Sequence, residues 1–309
     1  MKLTKTVRSK KRIVAEWLCG LVGFSYFLFY WENNVVQTSR FVVESNLLPR
    51  EFDRFKIVQV SDLHGKIFGL DSRSLFDKIR CERPSVIVIT GDLIDERRFD
   101  LEYARDVVRK LSRIAPVFYV TGNHEGNFVA GIKEQTLDAI QQSGARMLDE
   151  HSVELTFDSK GALVLTSKEA DASPCLPNSI LLAGTPDPIE QKTNYRIWVD
   201  ERLARIPRCD EQFSVLLAHR PDLIDSYAKR RFDLVFSGHA HGGQFRVPFL
   251  LPNGLYAPNQ GFFPKYTNGL YRKGRTTEIV SRGLGPSVIP TRIFNRPNLV
   301  VCELRVGNA

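Results

Sequence analysis

The chain has 309 residues, 43% of them apolar, with 43 Lys and Arg against 35 Asp and Glu for a formal charge of +8. That apolar content can bury a full core in a domain of about 250 residues, and no internal repeat points to an array. Six of the excess cations sit in the first twelve residues; without them the charge is +2, too small an excess to invite nucleic acid as a partner.

Those six are Lys2, Lys5, Arg8, Lys10, Lys11 and Arg12, and they precede a run from Ile13 to Trp31 whose only charge is Glu16. At about 1.5 Å per helical residue the run reaches nearly the thickness of a bilayer hydrocarbon core, and its aromatic end suits an interface. No Ala-x-Ala cleavage pattern follows, and neither a twin arginine nor a lipobox around Cys19 is present. Residues 1–35 are therefore expected to be a basic tail and membrane anchor, although Glu16 and Gly20 leave open a helix packed on the domain. The tail's charge places it in the cytoplasm and the domain outside. Five unpatterned cysteines, offering no disulfide framework, argue the other way. A segment lying in the interface would keep the domain cytosolic and facing headgroups, so the side of the membrane stays open.

Beyond the tail, strand-like runs alternate with helix-like segments around 72–81, 100–113, 131–143 and 221–231, which predicts an α/β domain over 50–305. The strand-like runs end in polar residues. KIVQV leads to Asp62 and His64, SVIVIT to Asp92, VFYVT to Asn123 and His124, SVLLA to His219, and LVFS to His239 and His241. In open α/β sheets chemistry collects where strands end, so these side chains should share one rim. His151 stands apart and receives no role. Residues 158–178 read as a hairpin or an irregular excursion without catalysis.

Carboxylate and carboxamide oxygens mixed with imidazole nitrogens suit Mn, Fe, Zn or Ni, whereas structural zinc usually recruits thiolates. The set Asp62, His64, Asp92, Asn123, His219, His239 and His241 exceeds what one cation needs. Two cations are the economical reading, with Asp92 between them at a separation of roughly 3.5 to 4 Å, the spacing that clamps the attacking and leaving oxygens at phosphorus.

The order DLH, GDLID, GNHE, LAH and GHAHGGQ resembles the calcineurin-like metallophosphoesterase family over about residues 50–304, most closely its small bacterial branch with an N-terminal membrane segment. The resemblance implies a four-layer α/β/β/α sandwich behind an anchor helix at the bacterial cytoplasmic membrane. It also implies two divalent ions, manganese foremost, and a metal-bridging hydroxide that hydrolyses a phosphoester or pyrophosphate. Residue by residue, one ion would be held by Asp62, His64, Asp92 and His241, and the other by Asp92, Asn123, His219 and His239. His124 would stand beside the scissile phosphate, with Asp95 hydrogen-bonded to it. Glu125 replaces the Asp common at that position of the family, outside the ligand set.

Rival chemistries lack their motifs: there is no Cys-x5-Arg loop, no Asp-x-Asp, no G-x-S-x-G elbow and no P-loop. The GD block continues as GDLIDER rather than with the Asp-Arg-Gly of protein phosphatases. From Leu234 to Thr277 no acidic residue occurs, while basic and aromatic residues alternate; this stretch either rims the site and meets phosphate, sugar or acyl groups, or is an ordered connection. Similar anchored relatives act on envelope phosphates, which makes UDP-2,3-diacylglucosamine of lipid A synthesis a candidate substrate. The alternatives are a phosphodiesterase or phosphomonoesterase on soluble substrates, or a noncatalytic metal-stabilised envelope protein.

Overall fold

The computed structural model describes residues 10–168, 175–189, 194–287 and 289–307. In chain order the helices are α1 (Lys10–Asn34), α2 (Arg73–Glu82), α3 (Leu101–Ser112), α4 (Asn123–Gly126), α5 (Ile132–Gln142), α6 (Tyr195–Arg205) and α7 (Ile224–Lys229). The strands are β1 (Gln37–Ser45), β2 (Lys56–Val60), β3 (Val86–Thr90), β4 (Val117–Val120), β5 (Ala145–Met147), β6 (Ser152–Phe157), β7 (Leu163–Lys168) and β8 (Ile180–Gly184). They continue with β9 (Ser214–Leu217), β10 (Leu234–Ser237), β11 (Tyr256–Ala257), β12 (Gly261–Phe262), β13 (Gly269–Lys273), β14 (Thr276–Val280) and β15 (Asn298–Val306).

Two sheets face one another. The first has the order β1-β15-β2-β3-β4-β5 and the second β13-β14-β10-β9-β8-β6-β7. The central strands are apolar on both faces because both faces are covered. In β2, Ile57 points into the core shared by the sheets, with Val88, Phe118, Val215 and Phe236. Its neighbour Val58 points outward, onto Ile79, Val107 and Ile140 of α2, α3 and α5. On the far side Leu181, Leu216 and Val235 pack against Val199 and Leu203 of α6 and Tyr227 of α7. Three apolar layers between four tiers give the α/β/β/α sandwich.

The expected helices at 72–81, 100–113, 131–143 and 221–231 correspond to α2, α3, α5 and a 3-10 turn leading into α7. Helix α6 was not anticipated: only Val199 and Leu203, one turn apart, are buried along it, so its charged sequence carries little periodic signal. The folded unit begins before residue 50, since β1 pairs in parallel with β15 from Gln37↔Asn298 to Ser45↔Val306. β1 exposes alternate residues at a sheet edge, so it lacks the apolar run that marked the central strands. The predicted excursion at 158–178 holds the turn of hairpin β6–β7 and the strand β7, and the rest of it lies partly outside the described residues.

The cysteine reading needs correction. Cys175 and Cys209 form a disulfide across a separation of 34 residues, a pairing that irregular spacing could not reveal because connectivity is set by the fold. Cysteine usage therefore no longer argues against an oxidising side of the membrane. At the other end of the chain, the span Val14–Asn34 within α1 is long and apolar enough to cross a membrane, and it is exposed up to Trp31, with Asn33 in its last turn buried against the domain. That exposure disfavours the packed-helix alternative.

Candidate metal centre

β2, β3 and β4 of one sheet and β9 and β10 of the other end at the same edge, and the candidate residues occupy the turns that follow. Five of them hold left-handed backbone: Asp62 at φ 50°, His64 at 49°, Asp92 at 53°, His239 at 64° and His241 at 46°. Such conformations are sparsely populated for residues with a Cβ and persist where surrounding structure imposes them. Here the imposition is close packing. A Cβ on Gly122 would stand 2.2 Å from Asp92 Oδ1, and one on Gly238 would stand 2.3 Å from Asp62 Oδ2.

The turns gather three trios able to hold a cation: Asp62 with His64 and His241, Asp92 with His219 and His239, and, less buried, His64 with Asp95 and His124. In the first, His64 Nε2 lies 3.2 Å from His241 Nε2, which is 3.5 Å from Asp62 Oδ1. In the second, His239 Nδ1 lies 3.1 Å from His219 Nε2, itself 3.1 Å from Asn123 Oδ1. Asp92 joins them, its Oδ2 lying 3.3 Å from His219 Nε2 and 3.6 Å from His64 Nε2. All seven residues predicted as ligands are thus brought together.

Neighbours fix which atoms point inward. His219 Nδ1 donates to the Thr90 carbonyl at 2.7 Å, leaving Nε2 for the cluster. His239 Nε2 meets Asn259 Oδ1 at 2.6 Å, leaving Nδ1. Asp62 accepts from His239 N at 2.9 Å and from Ser61 Oγ at 2.5 Å. Partners of this kind orient ligands and set their tautomers. Neither Asn259 nor Thr90 carried a signal in the sequence, because each acts through tertiary placement alone.

Glu125 is the residue that sequence reasoning undervalued. Fully buried, its carboxylate accepts from the backbone N–H groups of Asp92, Leu93, Ile94 and Gly122 at 2.8 to 3.2 Å. It therefore staples the turn after β3 to the turn after β4. Its place beside Asn123 and His124 in GNHE was the available hint. Behind His219, Arg220 makes a buried two-pronged ion pair with Asp187 at 2.8 and 3.0 Å.

His124 and Asp95 stand at the edge of the cluster, partly exposed. The expected hydrogen bond between them is not formed: His124 Nδ1 is 3.8 Å from Asp95 Oδ1, beyond hydrogen-bond range. Instead Glu96 N approaches that Nδ1 at 3.4 Å, while Asp95 Oδ1 accepts from Arg97 N at 2.8 Å. His124 Nε2 is 4.0 Å from Asp92 Oδ2. A cavity of about 210 Å³ opens over the cluster, with His124, Arg97, Asn123, Pro258 and Pro286 among its walls.

Charge follows from burial and proximity. Burial pushes His64 and His239 down to about 4 and His241 well below the ordinary imidazole value, so all three are neutral lone-pair donors at pH 7. Burial raises Asp62 to about 6. For His219, burial is overridden by the Asp92 carboxylate, which holds its proton up to about 10. Asp92 in turn is held well below the carboxylate range, against burial, by His219 and His64. Facing imidazole nitrogens at 3.2 Å around a buried carboxylate form a donor set that divalent mid-row cations satisfy.

The model of the family described as "Calcineurin-like phosphoesterase" matches residues 55–243, more than half of the chain. The chain belongs to the calcineurin-like phosphoesterases. This phosphoesterase is 29% identical over 290 residues to the uncharacterized metallophosphoesterase YkuE of Bacillus subtilis, covering 93% of this chain and 91% of that one. It is 30% identical over 311 residues to the uncharacterized metallophosphoesterase Cj0846 of Campylobacter jejuni, covering 98% and 73%. With the phosphodiesterase YaeI of Escherichia coli it shares 25% over 254 residues, covering 81% and 82%. The matched region runs from the residue before β2 to the turn holding His241, so every candidate residue of the phosphoesterase lies within it. The family employs paired divalent cations, and this member has the clustered His and Asp groups to take them.

Proposed function

We propose that this metal-dependent phosphoester hydrolase cleaves a phosphodiester or pyrophosphate in a membrane-derived amphiphile, from an anchor formed by residues 1–35. The observation that carries the catalytic part is the position of Asp92 Oδ2, within 3.6 Å of an imidazole nitrogen in each trio. One cation would be held by Asp62, His64, Asp92 and His241, and the second by Asp92, Asn123, His219 and His239, with manganese the first candidate. When bound, the pair supplies Lewis acidity toward the phosphoryl oxygens and water acidic enough to attack near neutral pH.

The protein's own groups account for the rest. Glu96 N at Nδ1 leaves Nε2 as the donor of the His124 ring, from which it can hydrogen-bond to the departing oxygen. Asp95 adds negative charge beside that ring, its Oδ1 3.8 Å from Nδ1. Arg97, on the cavity wall, offers the only guanidinium among the described residues that line it, and suits an anionic substrate. Glu125 and Arg220 hold their turns still, so little reorganisation accompanies reaction.

Hydrolysis of bis-p-nitrophenyl phosphate with added manganese tests the catalytic reading. Activity that is lost to chelator and restored by manganese is expected; inactivity across Mn, Fe, Zn and Ni would favour a metal-stabilised scaffold. For the amphiphile, UDP-2,3-diacylglucosamine in detergent is the candidate, with UMP release as readout. Cleavage of simple diesters without UMP release would exclude that substrate while leaving the hydrolase intact.

A further inference from the structure

Two loops beside the cavity carry apolar side chains that no part of the described domain covers. They run over 244–264 and 289–296 and are tied into one body: Arg246 N donates to the Ile293 carbonyl at 3.0 Å, and Phe263 N to that of Leu255 at 2.9 Å. Gln244 Nε2 adds a bond to the Thr291 carbonyl at 3.0 Å. From this body Phe249 projects fully into solvent, with Leu250, Phe262 and Phe263 at least 70% exposed and Phe294 at 59%. Of the five exposed phenylalanines among the described residues outside α1, the other being Phe99, four belong to these loops. Scattered apolar exposure needs no explanation, but a cluster of this kind marks a contact surface.

Its position says which one. The loop 289–296 is bolted to the last turn of α1: Arg292 N donates to Asn33 Oδ1 at 2.7 Å and Asn33 Nδ2 returns a bond to the Arg292 carbonyl. Asn295 N donates to Glu32 Oε2 at 3.1 Å, and the Arg296 guanidinium stands 4.7 Å over the Trp31 ring. The apolar run of α1 ends at this level, so a bilayer crossed by α1 presents its surface here. Lys265, two residues beyond Phe263, and the exposed Arg272 supply cations from a stretch without an acidic residue between Leu234 and Thr277. Aromatic tips with neighbouring cations are the composition of membrane interfaces.

We infer that Phe249, Leu250, Phe262, Phe263 and Phe294 form a second membrane contact, seated in the headgroup region of the bilayer that α1 enters, so that the catalytic cavity opens against lipid. This rests on α1 being an anchor, as proposed above. Pro258 of the first loop and Pro286, just before the second, line the cavity itself, which places its mouth beside the contact.

The test uses the full chain with Cys19→Ser and Cys81→Ser, reconstituted into phosphatidylethanolamine and phosphatidylglycerol vesicles. Phe249→Cys or Phe262→Cys is labelled with the environment-sensitive fluorophore NBD. Lys160→Cys, in the β6–β7 turn at the opposite end of the sheet, is the reference. The expected result is that both loop labels are blue-shifted and quenched by nitroxide lipids, and the reference label is neither. Loop labels that match the reference in protein that floats with the vesicles would overturn the inference and leave the anchor standing. A blue shift without lipid quenching that grows with the protein-to-lipid ratio would assign the surface to a second copy and also overturn it. Protein that fails to float would remove the anchor and the contact together.

Discussion

At the level of single residues, His124 separates chemistry from metal holding. It belongs to neither ligand set proposed for the two cations, grouping instead with His64 and Asp95 at the rim, and its Nε2 is 4.0 Å from Asp92. Replacing His124 with Ala should leave metal content normal and lower kcat by about 10² or more, the usual scale for a positioned acid; metal analysis beside steady-state kinetics checks both halves. His219 yields a prediction about protons. With its pKa held up to about 10 beside Asp92, it is protonated at pH 7 before a cation arrives, and a ligating imidazole must be neutral. Metal uptake should therefore release about one proton, and affinity should fall as pH drops toward the Asp62 value of about 6, where that carboxylate takes up a proton. Calorimetry in buffers of differing ionisation enthalpy measures the release.

The turns, as elements, depend on Glu125. Replacing Glu125 with Gln turns one acceptor oxygen into a donor facing backbone N–H groups that it formerly satisfied. Each unsatisfied buried group costs about 1–3 kcal/mol, so denaturant midpoints should fall together with metal retention. The segment between β7 and β9, which carries β8 and α6, has its own constraint. Purified Cys175→Ser, Cys209→Ser protein should lose about 3–4 kcal/mol of stability from opening that loop, with the metal site untouched. These elements also show what could be read beforehand. The apolar runs leading to Asp62, Asp92, Asn123, His219 and His239 were legible because buried parallel strands are continuously apolar and their ligands follow at once. Glu125, Asn259 and the Arg220–Asp187 pair were not, since a side chain that works by holding a distant backbone leaves no periodic trace. β1 and α6 escaped because a half-exposed edge strand and a helix with two buried positions look like surface loops.

For the molecule as a whole, α1, the proposed anchor, is joined to the domain through side chains rather than a free linker. Asn33 and Glu32 reach the 289–296 loop, and Lys66 donates to the Asn33 carbonyl. Two charges in the middle of α1, Leu21→Arg with Phe24→Arg, cost about 2.5–3.5 kcal/mol each in a bilayer centre. The doubly substituted chain should move from the pellet to the supernatant on alkaline carbonate extraction, whereas the unaltered chain stays with the lipid.

The parallel pairing of β1 with β15 ties residues 37–45 to residues 298–306. The ribosome makes β1 long before it makes β15, so β1 must wait, unpaired, while the strands between them emerge. Closure of the first sheet must therefore await β15, and a nascent chain stalled short of residue 298 would keep that edge of its sheet open.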